Sequence, residues 1–231
     1  MMKKILVMLT ATLFAGLALA KTDDSAVGPH EVVANTTQEL MKVIEEARGY
    51  VDQDPDRFNN EVRRIMDQVV DFQSFARGVM GKYGSRAYYQ SLTSEEDKAQ
   101  FRDHVLRFTQ NFKDGLINTY AKGLLGFNGN KIEVLPLAED ADLSGSVGVR
   151  QHIYGERAKP YEVIYTLRRD AQGDWKLRNV IIEGLNLGRI YQNQFRTAVA
   201  TYDGDIEKVI DNWTVAPKEV MEQAVGDAGE K

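Results

Sequence analysis

A chain of 231 residues with a formal charge of −5 and no cysteine excludes several classes at once. Its acidic balance argues against a nucleic-acid partner, which requires a strongly basic face. Without disulfides the fold must be stabilised by burial, and a chain this long can bury a large core unaided.

Lys3 and Lys4 precede an apolar run from Ile5 to Leu19, and Ala18-Leu19-Ala20 has the small-x-small form that signal peptidase cuts. Residues 1–20 are therefore expected to be a cleaved signal peptide. The run is short for a membrane span, no second run of spanning length follows, and no Cys after the cut could carry a lipid anchor. The mature protein is expected to be soluble and exported. Residues 21–30, polar and holding Gly28-Pro29, read as a flexible leader; residues 31–225 read as a single α+β domain, and 226–231 as a frayed end.

The first helix carries Val32, Val33, Leu40, Val43, Ile44 and Ala47 and ends near Gly49. Asp54-Pro55 starts a second, through Val62, Ile65, Met66 and Val69. In "VDFQSFARGVMGKYG" a third helix puts Phe72, Phe75, Val79, Met80 and Tyr83 on one face, with Gly81 and Gly84 at its end. The clearest helix is expected over 93–124, opened by a capping box of Thr93 and Glu96. Phe101, Val105, Phe108, Phe112, Leu116, Tyr120 and Leu124 recur along it three and four residues apart. A row of rings like this either fills a core or lines a cavity.

The period then changes to two. Residues 131–137, 147–154, 161–169 and 175–183 read as strands joined by short turn-rich links, which predicts a four-stranded antiparallel meander. Alternation puts Val147, Val149 and Ile153 on one face of the second strand, and Tyr161, Val163, Tyr165 and Leu167 on one face of the third. In the fourth, Trp175, Leu177 and Ile181 share a face with Asn179. After Gly184 a helix resumes with Leu187, Ile190, Tyr191, Phe195, Val199 and Tyr202. It breaks at "YDGD" and continues with Ile206, Val209, Ile210 and Trp213, and Pro217 opens a last amphipathic piece. Helices before and after a meander give an α+β domain with helices on one face of the sheet.

Catalytic signals are weak. His30, His104 and His152 lack metal-ligand spacing, and there is no phosphate loop, nucleophile-elbow Ser or carboxylate cluster. One enzyme reading remains: Asn179 and Glu183, with Tyr165, as hydrogen-bond donor and general base in an exported pocket isomerase or hydrolase. The competing reading is that Asn179 and Glu183 satisfy backbone groups where strand turns into helix, and this is the one the sequence favours. A chaperone-like module with a filled interior is a third possibility.

The order of motifs resembles the MlaC family of periplasmic phospholipid-binding proteins, also called the toluene-tolerance family. The resemblance runs through "VDFQSFARGVMGKYG", "TSEEDKAQF", "NTYAKGL" and "DWKLRNVIIEGLNLGRIYQNQF". Its most specific parts are Asp71-Phe72, Met80-Gly81 and Glu183-Gly184-Leu185-Asn186. The chain departs from the family at Asn179, where Asp is common, at Asn186, where Ser is common, and at Gly84, often Trp. The resemblance implies an NTF2-like or cystatin-like cone around an apolar cavity, with no enzymatic activity, cofactor or metal. It implies a soluble periplasmic monomer that carries a glycerophospholipid between the outer-membrane lipoprotein MlaA with its porin and an inner-membrane ABC transporter, through the MlaD component. This would maintain outer-membrane lipid asymmetry.

On that reading the lipid tails meet Val147, Val149, Ile153, Val163, Tyr165, Leu167, Leu177 and Ile181 from the strands. From the helices and the strand-to-helix junction they meet Phe72, Phe75, Phe108, Phe112, Leu185 and Tyr191. The cavity is expected to be at or above the upper end of ordinary ligand sites, about 1,000 Å³.

Overall fold

The computed structural model describes residues 27–126, 131–155 and 157–215. The expected signal peptide, most of the leader, the piece after Pro217 and the frayed end lie outside the described residues.

Helix α1 runs Pro29–Ala47. It begins inside the stretch assigned to the leader, because Pro at the first helical position sacrifices only an N–H that would have no helical partner. His30 therefore belongs to the helix, its Nε2 3.2 Å from the carbonyl oxygen of Val134. Helix α2, Pro55–Val69, is capped by Asp54, which accepts from the Arg57 N–H at 3.1 Å. Helix α3, Phe72–Met80, is capped by Asp71, followed by a 3₁₀ turn over Gly81–Gly84. A short helix α4, Arg86–Ser91, was not anticipated, being too short to show a helical period. Helix α5, Glu95–Leu125, is capped one residue later than expected: Ser94, not Thr93, accepts from the Asp97 N–H at 2.9 Å.

The sheet has five strands, not four, in the order β1-β2-β3-β4-β5, all antiparallel. They are β1 Lys131–Val134, β2 Val147–Tyr154, β3 Tyr161–Arg169, β4 Trp175–Ile182 and β5 Leu185–Asn186. The extra strand arises because Glu183 (φ 50°) and Gly184 (φ 82°) both take the left-handed backbone that a two-residue hairpin requires. That turn folds Leu185 back beside Ile182. Two residues are too few to show a strand period. Helices α6, Leu187–Thr201, and α7, Ile206–Asp211, complete the described chain.

Two buried clusters result. The larger joins α2, α3, α5, α6 and α7 with the end of α1, and the smaller joins Val33 of α1 to Val147, Val149, Leu167 and Trp175 on the sheet. The α2–α3 corner ties them together. The Asp71 N–H donates to the Leu177 carbonyl at 2.9 Å, and Arg178 donates to the Asp71 carboxylate at 3.0 Å. Asp71→Ala loses both the cap and this ion pair, and is expected to cost about 1–3 kcal/mol in urea unfolding with an unchanged m-value.

Candidate functional site

Two apolar hollows lie between the sheet and the helices. The first, of about 200 Å³, is lined by Val62, Met66 and Val70, by Phe72 and Phe75, by the C-terminal half of α5, and by Leu177, Val180, Ile182 and Leu187. The second, of about 250 Å³, lies under α1, against Val32, Val33, Thr36, Thr37 and Leu40, and is floored by Tyr165, Leu167, Leu177 and Val180. Met66, Tyr120, Leu124, Leu177 and Val180 border both. Each hollow falls below the expected volume and below the ordinary range, which starts near 300 Å³.

The shortfall has a clear cause. Phe108, Phe112 and Tyr191, expected to line the cavity, are fully buried in a filled aromatic core. Phe112 meets Phe75 edge-on at 5.2 Å and Tyr191 at 5.4 Å, and Phe108 meets Phe195 at 4.9 Å and Trp213 at 5.0 Å. Of α5, the C-terminal half, through Leu116, Ile117, Tyr120, Ala121 and Leu124, is the part that faces these two apolar hollows.

A β-bulge reassigns the inner face of β4. Leu177 stands opposite Leu167, but the next pair is Asn179 with Thr166, then Val180 with Tyr165 and Ile182 with Val163. Arg178 is the extra residue, and past it the alternation reverses. Val180 and Ile182 therefore point inward, while Asn179 and Ile181, expected inside, belong to the outer face.

Of the fourteen candidate lining residues, Phe72, Phe75, Tyr165, Leu167 and Leu177 border a hollow. Val147, Val149 and Val163 are buried inner-face residues that border neither. Ile153, at the far end of β2, and Leu185, in β5, border neither as well. The α1 and α2 lining was missed as lining, although its helical stripes were read. A helical period marks the buried side of a helix without saying whether it meets atoms or space.

The polar candidates are wired to backbone. The Asn179 amide donates to Asn186 Oδ1 at 3.0 Å, and its carbonyl oxygen accepts from the Gly188 N–H at 2.9 Å. Gly188 permits this approach, since a Cβ there would stand 2.7 Å from that oxygen. Asn186 in turn caps α6 by accepting from the Arg189 N–H at 3.0 Å. Glu183 accepts from the Glu162 N–H at 2.5 Å and from Arg157 at 2.8 Å, which holds its left-handed turn. Tyr165 faces inward and Asn179 outward, so the constellation proposed for an enzyme is not assembled on one face.

One buried polar residue escaped the sequence reading. Gln151, 2% exposed, lies between Val149 and Ile153 on the inner face of β2. Its Oε1 accepts from the Tyr165 hydroxyl at 2.8 Å, and its Nε2 donates to Thr37 Oγ1 at 2.8 Å. Thr37 passes the chain to the Val33 carbonyl at 2.8 Å. Burial pushes the Tyr165 phenol up to about 12. An unfolded tyrosine ionises near 10, so from about pH 10 to 12 the folded state holds a proton that the unfolded state has lost. Stability should therefore be intact below pH 10 and fall as pH rises towards 12. Tyr165→Phe is expected to flatten that alkaline limb in a pH series of urea unfolding; an unchanged slope would refute it.

Residues 34–215 match the MlaC protein family. The chain belongs to the MlaC family. Among the family's relatives, the toluene tolerance protein ttg2D of Pseudomonas putida is 32% identical over 189 residues, which span 82% of this chain and 81% of that protein. A solved phospholipid-binding protein from Ralstonia solanacearum, in complex with a phospholipid, shares the fold with a TM-score of 0.62 at 19% identity. The match covers 87% of this MlaC chain and 98% of that one. No helix among the described residues of this MlaC protein is long and apolar enough to cross a membrane.

Proposed function

We propose that this MlaC protein is a soluble periplasmic phospholipid carrier. It shelters the acyl chains of a glycerophospholipid and moves the lipid between MlaA with its porin in the outer membrane and the MlaD-containing ABC transporter of the inner membrane. It acts as a monomer without catalysis or cofactor, and residues 1–20 direct it to the periplasm.

The observation that carries this reading is the pair of adjoining hollows with almost wholly apolar walls. Leaving a bilayer exposes hydrocarbon at about 0.8 kcal/mol per CH₂, so a carrier must supply a dry surface over most of both tails. Either hollow alone is too small for a two-chain lipid. They meet at Met66, Leu124 and Leu177, and rotation of these side chains, the unbranched thioether of Met66 above all, would merge them. The phospholipid in the Ralstonia solanacearum relative supports the same reading. The head group, already well solvated, stays at the mouth and is read loosely.

The test is lipid extraction from protein purified without detergent, followed by mass spectrometry. Phospholipid at near-stoichiometric amounts is expected. Protein that is lipid-free in repeated preparations, and that takes none from vesicles, would end the carrier reading.

A further inference from the structure

The second hollow stops abruptly along the sheet. It runs over β4 and β3, where Leu177, Val180, Tyr165 and Leu167 form its floor, but no β2 residue borders it. What intervenes is the Tyr165 side chain. Tyr165 stands opposite Val149, yet its hydroxyl reaches Gln151, which is paired with Val163, so the ring lies slantwise across β2.

That ring is held from both ends. Its backbone is in the central strand, and its hydroxyl is the first link of the chain through Gln151 and Thr37 to the Val33 carbonyl on α1. Gln151 is the buried member of this partly buried chain, and it fixes the geometry, because a movement of Tyr165 or Thr37 leaves one of its desolvated amide atoms unpaired. The neighbouring walls differ: Met66, Leu40 and Leu177 are held by packing alone and can change rotamer. Thr36 presents no free donor either, its hydroxyl being committed to the Val32 carbonyl at 2.7 Å. The end of the hollow is therefore held in place and offers an entering chain only hydrocarbon contact, in a compartment where Tyr120 is also fixed, by a 2.7 Å hydrogen bond to the Tyr191 hydroxyl, and the aliphatic walls yield.

From this we infer that Tyr165, positioned by Gln151 and Thr37, is a chain-length gauge that limits how much hydrocarbon the protein accepts. The inference rests on the carrier reading. A tail too long for the stop leaves its excess methylenes unsheltered, and each disfavours transfer from a membrane by about fourfold.

The experiment offers vesicles holding an equimolar mixture of phosphatidylethanolamines that differ only in tail length, and reads the captured species by mass spectrometry. The unchanged protein should show a cut-off in tail length. Tyr165→Leu, which shortens the stop without adding a polar group, should move that cut-off to longer tails, raising their share by about fourfold for each methylene newly admitted. Tyr165→Phe keeps the ring but frees it from Gln151, and should blur the cut-off; it serves if Tyr165→Leu does not fold. A length profile identical in the unchanged protein and in the folded variants overturns the gauge while leaving the carrier reading standing. Absence of uptake by every protein overturns both.

Discussion

Val180→Glu is expected to abolish phospholipid uptake, while Ile181→Glu, one position further along the same strand, leaves it intact. Val180 borders both hollows. A carboxylate there faces only hydrocarbon and loses its hydration, at an effective cost of several kcal/mol if it stays charged. It will either remain protonated or draw water into the hollows, and either response spoils the dry surface that acyl chains require. Ile181 lies on the opposite face, paired with Ile164 and Asn186, where a carboxylate can keep water. Uniform alternation through β4 predicts the opposite result, with Ile181 inside. Lipid content by mass spectrometry, alongside unfolding curves to show that both variants fold, separates the two. Retained lipid in folded Val180→Glu, with loss in Ile181→Glu, would show that the bulge at Arg178 has been misassigned. Val180→Asn is a milder version that should lose uptake in the same sense.

The second large effect concerns stability. Phe112 is fully buried, edge-on to Phe75 and Tyr191 and stacked on Phe108 at 5.9 Å. Phe112→Ala should cost about 3–5 kcal/mol, a large share of the roughly 5–15 kcal/mol that holds a typical domain together. Uptake per folded molecule should nevertheless stay near normal, because Phe112 borders neither hollow. Denaturant unfolding reads the first effect and vesicle uptake at low temperature reads the second. A variant of unchanged stability that has lost its lipid would put Phe112 on the cavity wall, as its place in the α5 stripe suggests.

These two residues show why the site was harder to read than the fold. Phe112 and Leu116 are equivalent members of one helical stripe, and the period that identifies the stripe is blind to what lies opposite. α3, α6 and α7 bring rings and aliphatic chains against the first part of α5 and fill the space, whereas the second part looks onto β4 and α2 across a gap. Similarly, "WKLRNVII" alternates from Trp175 to Arg178 and then sets Asn179 beside Arg178 and three apolar residues together, a break that does not by itself say that Arg178 is the residue left out of the ladder with β3. That follows from how two strands and the α2–α3 corner meet, with Asp71 bonded to the Leu177 carbonyl and paired with Arg178. Gln151 carries no signal of its own in the sequence, because the groups that satisfy its amide, Tyr165 and Thr37, come from another strand and from α1.

What the sequence determined by itself is local and periodic: the long α5, the strands from β2 to β4, the break at "YDGD", the strand-to-helix junction at Glu183-Gly184, and enough ordered motifs to indicate the family. Such features depend on backbone preference and on the spacing of apolar residues, both written within a few neighbouring positions. The tertiary structure alone decided the fifth strand, the reversal of face beyond Arg178, and the division of one apolar interior into a filled aromatic core and two hollows. Each of these depends on which distant surfaces come into contact and how closely they pack, and a volume left empty between elements has no residue of its own to mark it.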